Sequence, residues 1–404
     1  MVTANIDPLM AVDIPHGWDL IPLGKCVSGK LSYGVNAPAI PYNRCHPCYI
    51  RITDITEDGQ YDDSDKKSVA ITSEEEAMYS LKVGDIVLAR TGASTGKSYL
   101  YSEKDGILVY AGFLIKAAVD MQSHNPRFIF GQLRTRRYWN WVAATSMRSG
   151  QPGINGKEYA AFLIPIAPKK EQDKISETLS AFDTYIDNLA ELIEKKRGIR
   201  DGALEELVNG TFAIDGQGLQ WNEVELGEVA FYKKERVVSE RSKYVSTENM
   251  NQNYMGIEPY QGHDKVLGCQ FDRTDTLMAN IRPYLRKIWF ADFSGCCSAD
   301  VLVIKSKAGM NALLLYYLLA NDRFVNYVMS GGVKGIKMPR GDKEYIMHYS
   351  VLVPIDEAKQ TIIANAIAAM DEEIEALEAE RDKMIQIREG AMDDLLTGRV
   401  RLSV

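Results

Sequence analysis

EQDKISETLSAFDTYIDNLAELIEKKRGIRDGALEELVNG, residues 171–210, decides the fold, because the same text returns at the end of the chain. Setting Gln172 against Gln360, an offset of 188, pairs Ile175 with Ile363, Asp183 with Asp371, Ile186 with Ile374 and Leu189 with Leu377. Without a further gap it goes on to pair Lys195 with Lys383, Ile199 with Ile387, Arg200 with Arg388, Gly202 with Gly390 and Gly210 with Gly398. In the first copy Ile175, Leu179, Phe182, Ile186, Leu189 and Ile193 step by 4-3-4-3-4, the rhythm of a coiled-coil seam. The second keeps the step with Ile363, Ile367, Met370, Ile374 and Leu377 and resumes at Met384. Six seam residues at roughly 1.5–3 kcal/mol each do not offset about 1–2 kcal/mol of backbone entropy per helical residue. Each helix therefore needs a partner, and the natural one is the other copy. A covalent repeat folding back on itself approximates a two-fold axis, which predicts an antiparallel pair with the preceding segments at opposite ends.

Those preceding segments are weak copies of each other. Trp18 to Gly24 matches Trp221 to Gly227 in its tryptophan, leucine and glycine, and each reads as an opening strand. Tyr49 to Ile55, which reads as strand, stands where Tyr244 to Met250 stands, and the shrinking offset places an extra loop around Ala39 to Cys48. Gly84 to Arg90 against Thr274 to Asn280, and Phe113 to Lys116 against Leu302 to Lys305, are runs of apolar and branched residues that predict strands. One amphipathic helix is expected in each half, at about Pro126 to Ala144 and Ala312 to Met329, with Arg137 and Arg323, Asn140 and Asn326 in register. Gly-rich loops follow, then strands ending in Pro165–Pro168 and Pro354. Proline suits a helix start, and Gly210 and Gly398 suit helix ends.

The chain is thus α+β and used twice: a β-rich domain over 1–168, a helix over 169–215, a second domain over 216–355 and a closing helix over 356–404. Its 404 residues suffice for several domains. No run of eighteen apolar residues predicts a membrane span, and the start lacks the pattern of a secretory leader, so a cytoplasmic chain is expected. Six unevenly spaced cysteines fit reduced thiols. The net charge of −8 is uneven: residues 1–168 carry 17 basic and 17 acidic side chains and 218–355 carry 17 and 15, whereas 169–217 carry 7 and 11 and 356–404 carry 6 and 12. The acidity belongs to the helices, so the chain's overall charge does not argue against DNA.

No motif supplies an active site. Thr91 to Ser98, TGASTGKS, looks like a phosphate-binding loop, but its glycine is one residue too close to Gly96-Lys97-Ser98, and the following Tyr99–Tyr101 reads as strand. Cys45-His46-Pro47-Cys48 has thiol-redox spacing, yet it precedes a strand and not a helix. A zinc site there would need ligands such as Cys26 or His16, and a plain loop is the simpler reading. Basic loops are more informative. Arg90, Thr91, Lys97 and Ser98 in the first half, and Arg282, Tyr284, Arg286 and Lys287 at the matching place in the second, suit phosphate contact. Gln151, Lys334, Lys337 and Arg340 on the Gly-rich loops extend the set. Each such loop taken singly is more often just a solvated surface.

The whole chain resembles the specificity subunit of type I restriction-modification systems. The resemblance rests on Pro15-His16-Gly17-Trp18 with Leu23-Gly24, Arg90-Thr91-Gly92 followed by Gly96-Lys97, and the Pro165 to Gln172 segment with the long helix behind it, in two tandem copies. It implies two target recognition domains, each reading half of a split, asymmetric double-stranded DNA site, joined by spacer helices that dock methyltransferase subunits, two of them, and a restriction subunit. It implies no catalytic residue and no cofactor in this chain, since S-adenosylmethionine, ATP and magnesium belong to partners. The second copy departs from the pattern at Lys359, where the first has Glu171, and at Ile281-Arg282-Pro283, where the first has Thr91-Gly92-Ala93. The alternatives are a coiled-coil scaffold whose β-domains bind protein and a free-standing nucleotide-binding enzyme.

About forty helical residues at ~1.5 Å each make a rod of roughly 60 Å, against half-sites spaced about 34–36 Å per duplex turn. Helix length is therefore expected to set the gap between half-sites, and a heptad inserted between Leu189 and Ile193 is expected to change it. Lys196, Arg200, Arg381 and Arg388 continue the 4-3 step where leucine is expected. Either they snorkel out of the seam, or a partner helix completes it.

Overall fold

A computed structural model describes residues 14–147, 151–214, 217–331 and 339–402. It divides into two compact units, Met1–Asn188 with Arg381–Val404 and Leu189–Glu380. Each unit holds one β-rich domain and pieces of both long helices, Lys169–Asn209 and Glu357–Thr397, which are 41 residues each.

In the first unit the opening strand Asp19–Pro22 pairs antiparallel with the closing strand Leu163–Ile166, so the domain is sealed where its chain enters and leaves. One four-stranded sheet runs in the order Ser32–Tyr33, Leu114–Ala118, Asp85–Ala89, Ser98–Leu100, and a second in the order Ala39–Pro41, Lys67–Val69, Cys48–Ile50, Leu108–Tyr110. Asp85–Ala89 is buried at every position because both its faces are covered, as a continuous apolar run requires. Ile86 and Leu88 face a core with Phe128, Tyr138 and Ile175, while Val87 and Ala89 face another with Ile50, Tyr99 and Leu114.

The second unit repeats the plan. Trp221–Glu225 pairs with Ser350–Pro354, and one sheet runs Ala230–Tyr232, Val301–Ser306, Thr276–Ala279, Ile288–Phe290. Met278 packs with Leu314 and Ile363, whereas Leu277 and Ala279 pack with Phe271 and Trp289. The remaining sheet differs from its counterpart. Its order is Arg236–Glu240, Lys265–Phe271, Gly295–Cys297, Tyr244–Val245, so the strand after the long hairpin pairs with the later strand and leaves Tyr244–Val245 on the edge.

Three local expectations need correction. Each amphipathic segment is two helices, Pro126–Gln132 with Arg136–Ser146 and Ala312–Leu319 with Asp322–Ser330. The breaks fall where a side chain offers the next helix an N-cap: Thr135 accepts from the Tyr138 amide and Asn321 from the Phe324 amide. The strand expected over Tyr49 to Ile55 ends at Ile50, because Asp54 accepts from the Arg51 amide and guanidinium and turns the chain. The counterpart strand in the second half, Tyr244–Val245, is as short, since Asn249 accepts from the Ser246 amide and bends the chain away. A short helix, Gly156–Ala161 or Lys343–Met347, also precedes each closing strand.

The long helices pair antiparallel in both units. In the first, Glu171 bonds Arg401 and, twelve residues on, Asp183 bonds Arg388; in the second, Lys196 bonds Glu373 and Arg200 bonds Asp371. Ile175, Leu179, Leu189, Ile193, Ile363, Ile367 and Ile374 are buried, and Phe182, Ile186, Met370, Leu377 and Met384 are half-buried. Gly210 and Gly398 end the helices with φ of +67° and +71°, where any Cβ would be strained. The seam arginines have a third explanation: Arg200 and Arg388 meet Asp371 and Asp183 at 3.1 and 3.0 Å, two ion pairs related by the 188-residue repeat. Lys196 is likewise paired, to Glu373, while Arg381 bonds its neighbour Asp382.

The glutamine of the repeat is structural. Gln172 accepts from the Asn125 amide at 2.9 Å and donates to the Ala167 carbonyl at 2.7 Å. Gln360 accepts from the Asn311 amide at 2.8 Å and donates to the Pro354 carbonyl at 3.0 Å. Both are buried, and each locks a long helix to the asparagine that caps the short helix above it.

Candidate nucleic-acid interface

In both domains two loops far apart in sequence are stitched together at the rim of the central sheet. In the first, the turn after Asp85–Ala89 is held to the Gly-rich loop. The Arg90 carbonyl accepts from the Ile154 amide at 2.9 Å, and the Gly92 amide donates to the Pro152 carbonyl at 3.1 Å. Gly92 has a φ of +73°, and a Cβ there would sit 3.1 Å from the Gln151 side chain, so glycine is what lets the two loops close on each other. In the second, the Arg282 amide donates to the Pro339 carbonyl at 2.9 Å and the Gly341 amide to the Asn280 carbonyl at 3.2 Å.

The first loop pair carries Arg90, Thr91 and the exposed Gln151. The Arg90 guanidinium lies 5.1 Å from the Tyr33 ring and 5.9 Å from the Phe113 ring, and both rings are exposed. Sequence reasoning missed these two aromatics. Tyr33 is 57 positions from Arg90, and no spacing rule connects them; only the pairing of Ser32–Tyr33 with Leu114–Ala118 brings them together. Lys97 and Ser98 do not join the group. The Lys97 ammonium is turned inward, donating to the Ile55 carbonyl at 3.3 Å and pairing with Glu57 at 2.7 Å. Ser98 is buried, as is Tyr99 beside it, because this strand is covered on both faces.

The second loop pair presents Arg282 and Tyr284 to solvent. Arg286 is tied to Asn253 and Asp322, and the Lys287 ammonium donates to the Thr247 carbonyl at 2.7 Å, which removes it from the surface. Arg340 is exposed and 3.1 Å from Asp300. Lys334 and Lys337 lie outside the described residues. Among the described residues, five non-glycine positions have positive φ, and Asn253, Tyr254, Arg282 and Arg286 are four of them. Their amides interlock, Asn253 and Tyr254 donating to the carbonyls of Leu285 and Arg286. Strain of this kind is kept where the surroundings over-determine the backbone, and here it fixes where Arg282 and Tyr284 point.

The TGASTGKS stretch has no phosphate-cradling geometry: Gly92–Ser94 is a single 3-10 turn and Ser98–Leu100 is a strand. Cys45 and His46 form a turn around Asn43, and the six cysteines are free. Among the described residues no helix is long and apolar enough to cross a membrane.

Residues 48–195 match the model of the type I restriction modification DNA specificity domain. A chain assigned as the specificity subunit of the MjaX type I restriction enzyme of Methanocaldococcus jannaschii is 24% identical, over 96% of this chain and 95% of that one. Among solved structures, the type I restriction-modification S subunit from M. genitalium superposes with a TM-score of 0.59 at 16% identity, covering 98% of both chains. A chain from a structure addressing complex assembly and conformational transition of a type I R-M system gives 0.53 at 14% identity, covering 96% of this chain and 99% of that one. With its tandem halves and paired long helices, the chain is similar along nearly its whole length to a type I restriction enzyme specificity subunit, and residues 48–195 carry the match to the DNA specificity domain.

Proposed function

We propose that each β-rich domain reads one half of a split, asymmetric DNA site through its stitched loop pair, and that the paired long helices dock the methyltransferase subunits and set the gap between half-sites. The observation that carries this is the recurrence, in both halves, of a stitched loop pair that presents an arginine and an exposed aromatic residue: Arg90 with the Tyr33 and Phe113 rings near its guanidinium, and Arg282 with Tyr284 two residues on. Guanidinium groups contact phosphates and guanine edges, and the aromatic rings add apolar contact. The two loop sets differ in sequence and backbone, which accounts for an asymmetric site. On this reading the chain is a non-catalytic subunit acting in the cytoplasm. Two copies of the methyltransferase subunit bring S-adenosylmethionine, and a restriction subunit brings ATP and magnesium.

The test is methylation mapping of genomic DNA with the chain assembled on its methyltransferase subunit. The expected motif is bipartite. Inserting one heptad in each helix, between Leu189 and Ile193 and between Leu377 and Arg381, should lengthen the gap and leave both half-sites unchanged. An unchanged gap overturns the role of the helices, and a continuous motif overturns the two-domain reading.

A further inference from the structure

The first unit holds a cationic pocket outside the loop pair proposed to read DNA. Arg127 and Arg134 reach it from the short helices, and Arg388 from the second long helix, with Phe130, Gly131, Leu179 and Met392 as walls. It encloses about 30 Å³, room for more than one water and hence for a small oxyanion. Asp183 is the carboxylate that lines it, paired with both Arg127 and Arg388. Arg134 faces the largely exposed Asp58 at 3.7 Å, has Glu389 as a second acidic neighbour and lies over the Phe130 ring. The buried Nε atoms of Arg127 and Arg388 have no hydrogen-bond partner. Three guanidiniums meet one lining carboxylate in a half-buried site, with Asp58 and Glu389 near Arg134 outside the lining. Burial, and then the nearby Arg388, hold the guanidiniums of Arg127 and Arg134 below their ordinary values.

The second unit shows that the fold does not require this arrangement. At the matching positions Arg127 becomes Leu313, Gly131 becomes Tyr317 and Arg134 becomes Ala320, while Asp183 and Arg388 become Asp371 and Arg200. There the Tyr317 hydroxyl donates to Asp371 at 2.8 Å and Arg200 pairs with the same carboxylate, so the space is filled and the charge balanced. Where one copy has a tyrosine, the other has a glycine against which Leu396 packs, and adds two arginines.

We infer that the Arg127–Arg134–Arg388 pocket binds a phosphoryl dianion, either free phosphate or the terminal phosphate of a nucleotide. Three guanidiniums outnumber the one carboxylate that lines the pocket, and their forks supply the donors a phosphate accepts. Bound there, it ties the first recognition domain's short helices to the helix pair within that unit.

The experiment is thermal unfolding of the full chain in sodium phosphate against sodium chloride at equal ionic strength, with Arg134→Ala alongside. Inorganic phosphate should raise the wild-type Tm saturably, by about 2–4 °C, and should lose that effect in Arg134→Ala. The phosphorus resonance of inorganic phosphate should broaden with wild type and not with the variant, a readout independent of the variant's stability. Adenosine monophosphate half-saturating well below phosphate identifies a nucleotide as the source, and equal half-saturation identifies free phosphate. A rise no larger than in chloride, or equal rise and broadening with Arg134→Ala, overturns the proposal.

Discussion

The two junctions where a long helix meets its domain start from the same repeated residues and end in different chemistry. Both keep the buried glutamine, the capping asparagine and an Asp–Arg ion pair between the long helices. In the first, Glu171 is buried and accepts from the Trp18 indole at 3.2 Å and from Arg401 at 2.5 and 2.7 Å. In the second the corresponding residues are Lys359, Trp221 and Ala213, and that network is gone. The Leu396 carbonyl receives Gln132 at 2.7 Å, whereas the matching Val208 carbonyl receives Arg323 at 3.5 Å. What is shared holds each helix to its domain. What differs sits where the surrounding side chains offer more than one way to satisfy the same group.

The shared part should fail equally in both copies. Gln172→Ala strips a backbone amide and a carbonyl of their partner, and Gln360→Ala an amide and the carbonyls of Gly309 and Pro354, at about 1–3 kcal/mol per buried orphaned group. Urea unfolding of the full chain should therefore show similar losses of roughly 2–4 kcal/mol for the two variants. A loss confined to one copy would show that the glutamines are not equivalent anchors.

The differing part should fail unequally. Asp183→Ala leaves three guanidiniums facing one another, whereas Asp371→Ala leaves only Arg200 and a tyrosine hydroxyl. The first should cost about 2–3 kcal/mol and the second about 1–2, because an uncompensated partly buried charge is the larger penalty. Equal midpoints for the two variants in matched chloride buffer would remove the asymmetry. Smallest is Tyr317→Phe, which deletes one hydrogen bond to Asp371 and should lower stability by about 1 kcal/mol. An unchanged midpoint would mean that Tyr317 fills space without balancing the second carboxylate.

The repeat, the helix pairing and the α+β class were legible in the sequence because they rest on period. A 4-3 step and a 188-residue offset are one-dimensional signals, and antiparallel pairing follows from folding a repeat onto itself. Strand faces were legible for the same reason: the apolar run over Asp85–Ala89 requires cover on both sides. The helix breaks at Thr135 and Asn321 were not, because an apolar stripe passes through each cap unchanged.

Sequence alone determined where cations and glycines cluster along the chain. Tertiary structure alone decided which of those cations face outward. Lys97 and Lys287 turn onto carbonyls 42 and 40 residues away, while Arg90 is flanked by rings from two other segments. Likewise Arg200 and Arg388 read as interruptions of a seam until the opposing helix supplied Asp371 and Asp183. Periodicity is written into neighbouring residues, whereas the partner of a charge is chosen by whatever the fold brings within about 4 Å, where the Coulomb term outweighs the entropy of holding a side chain still.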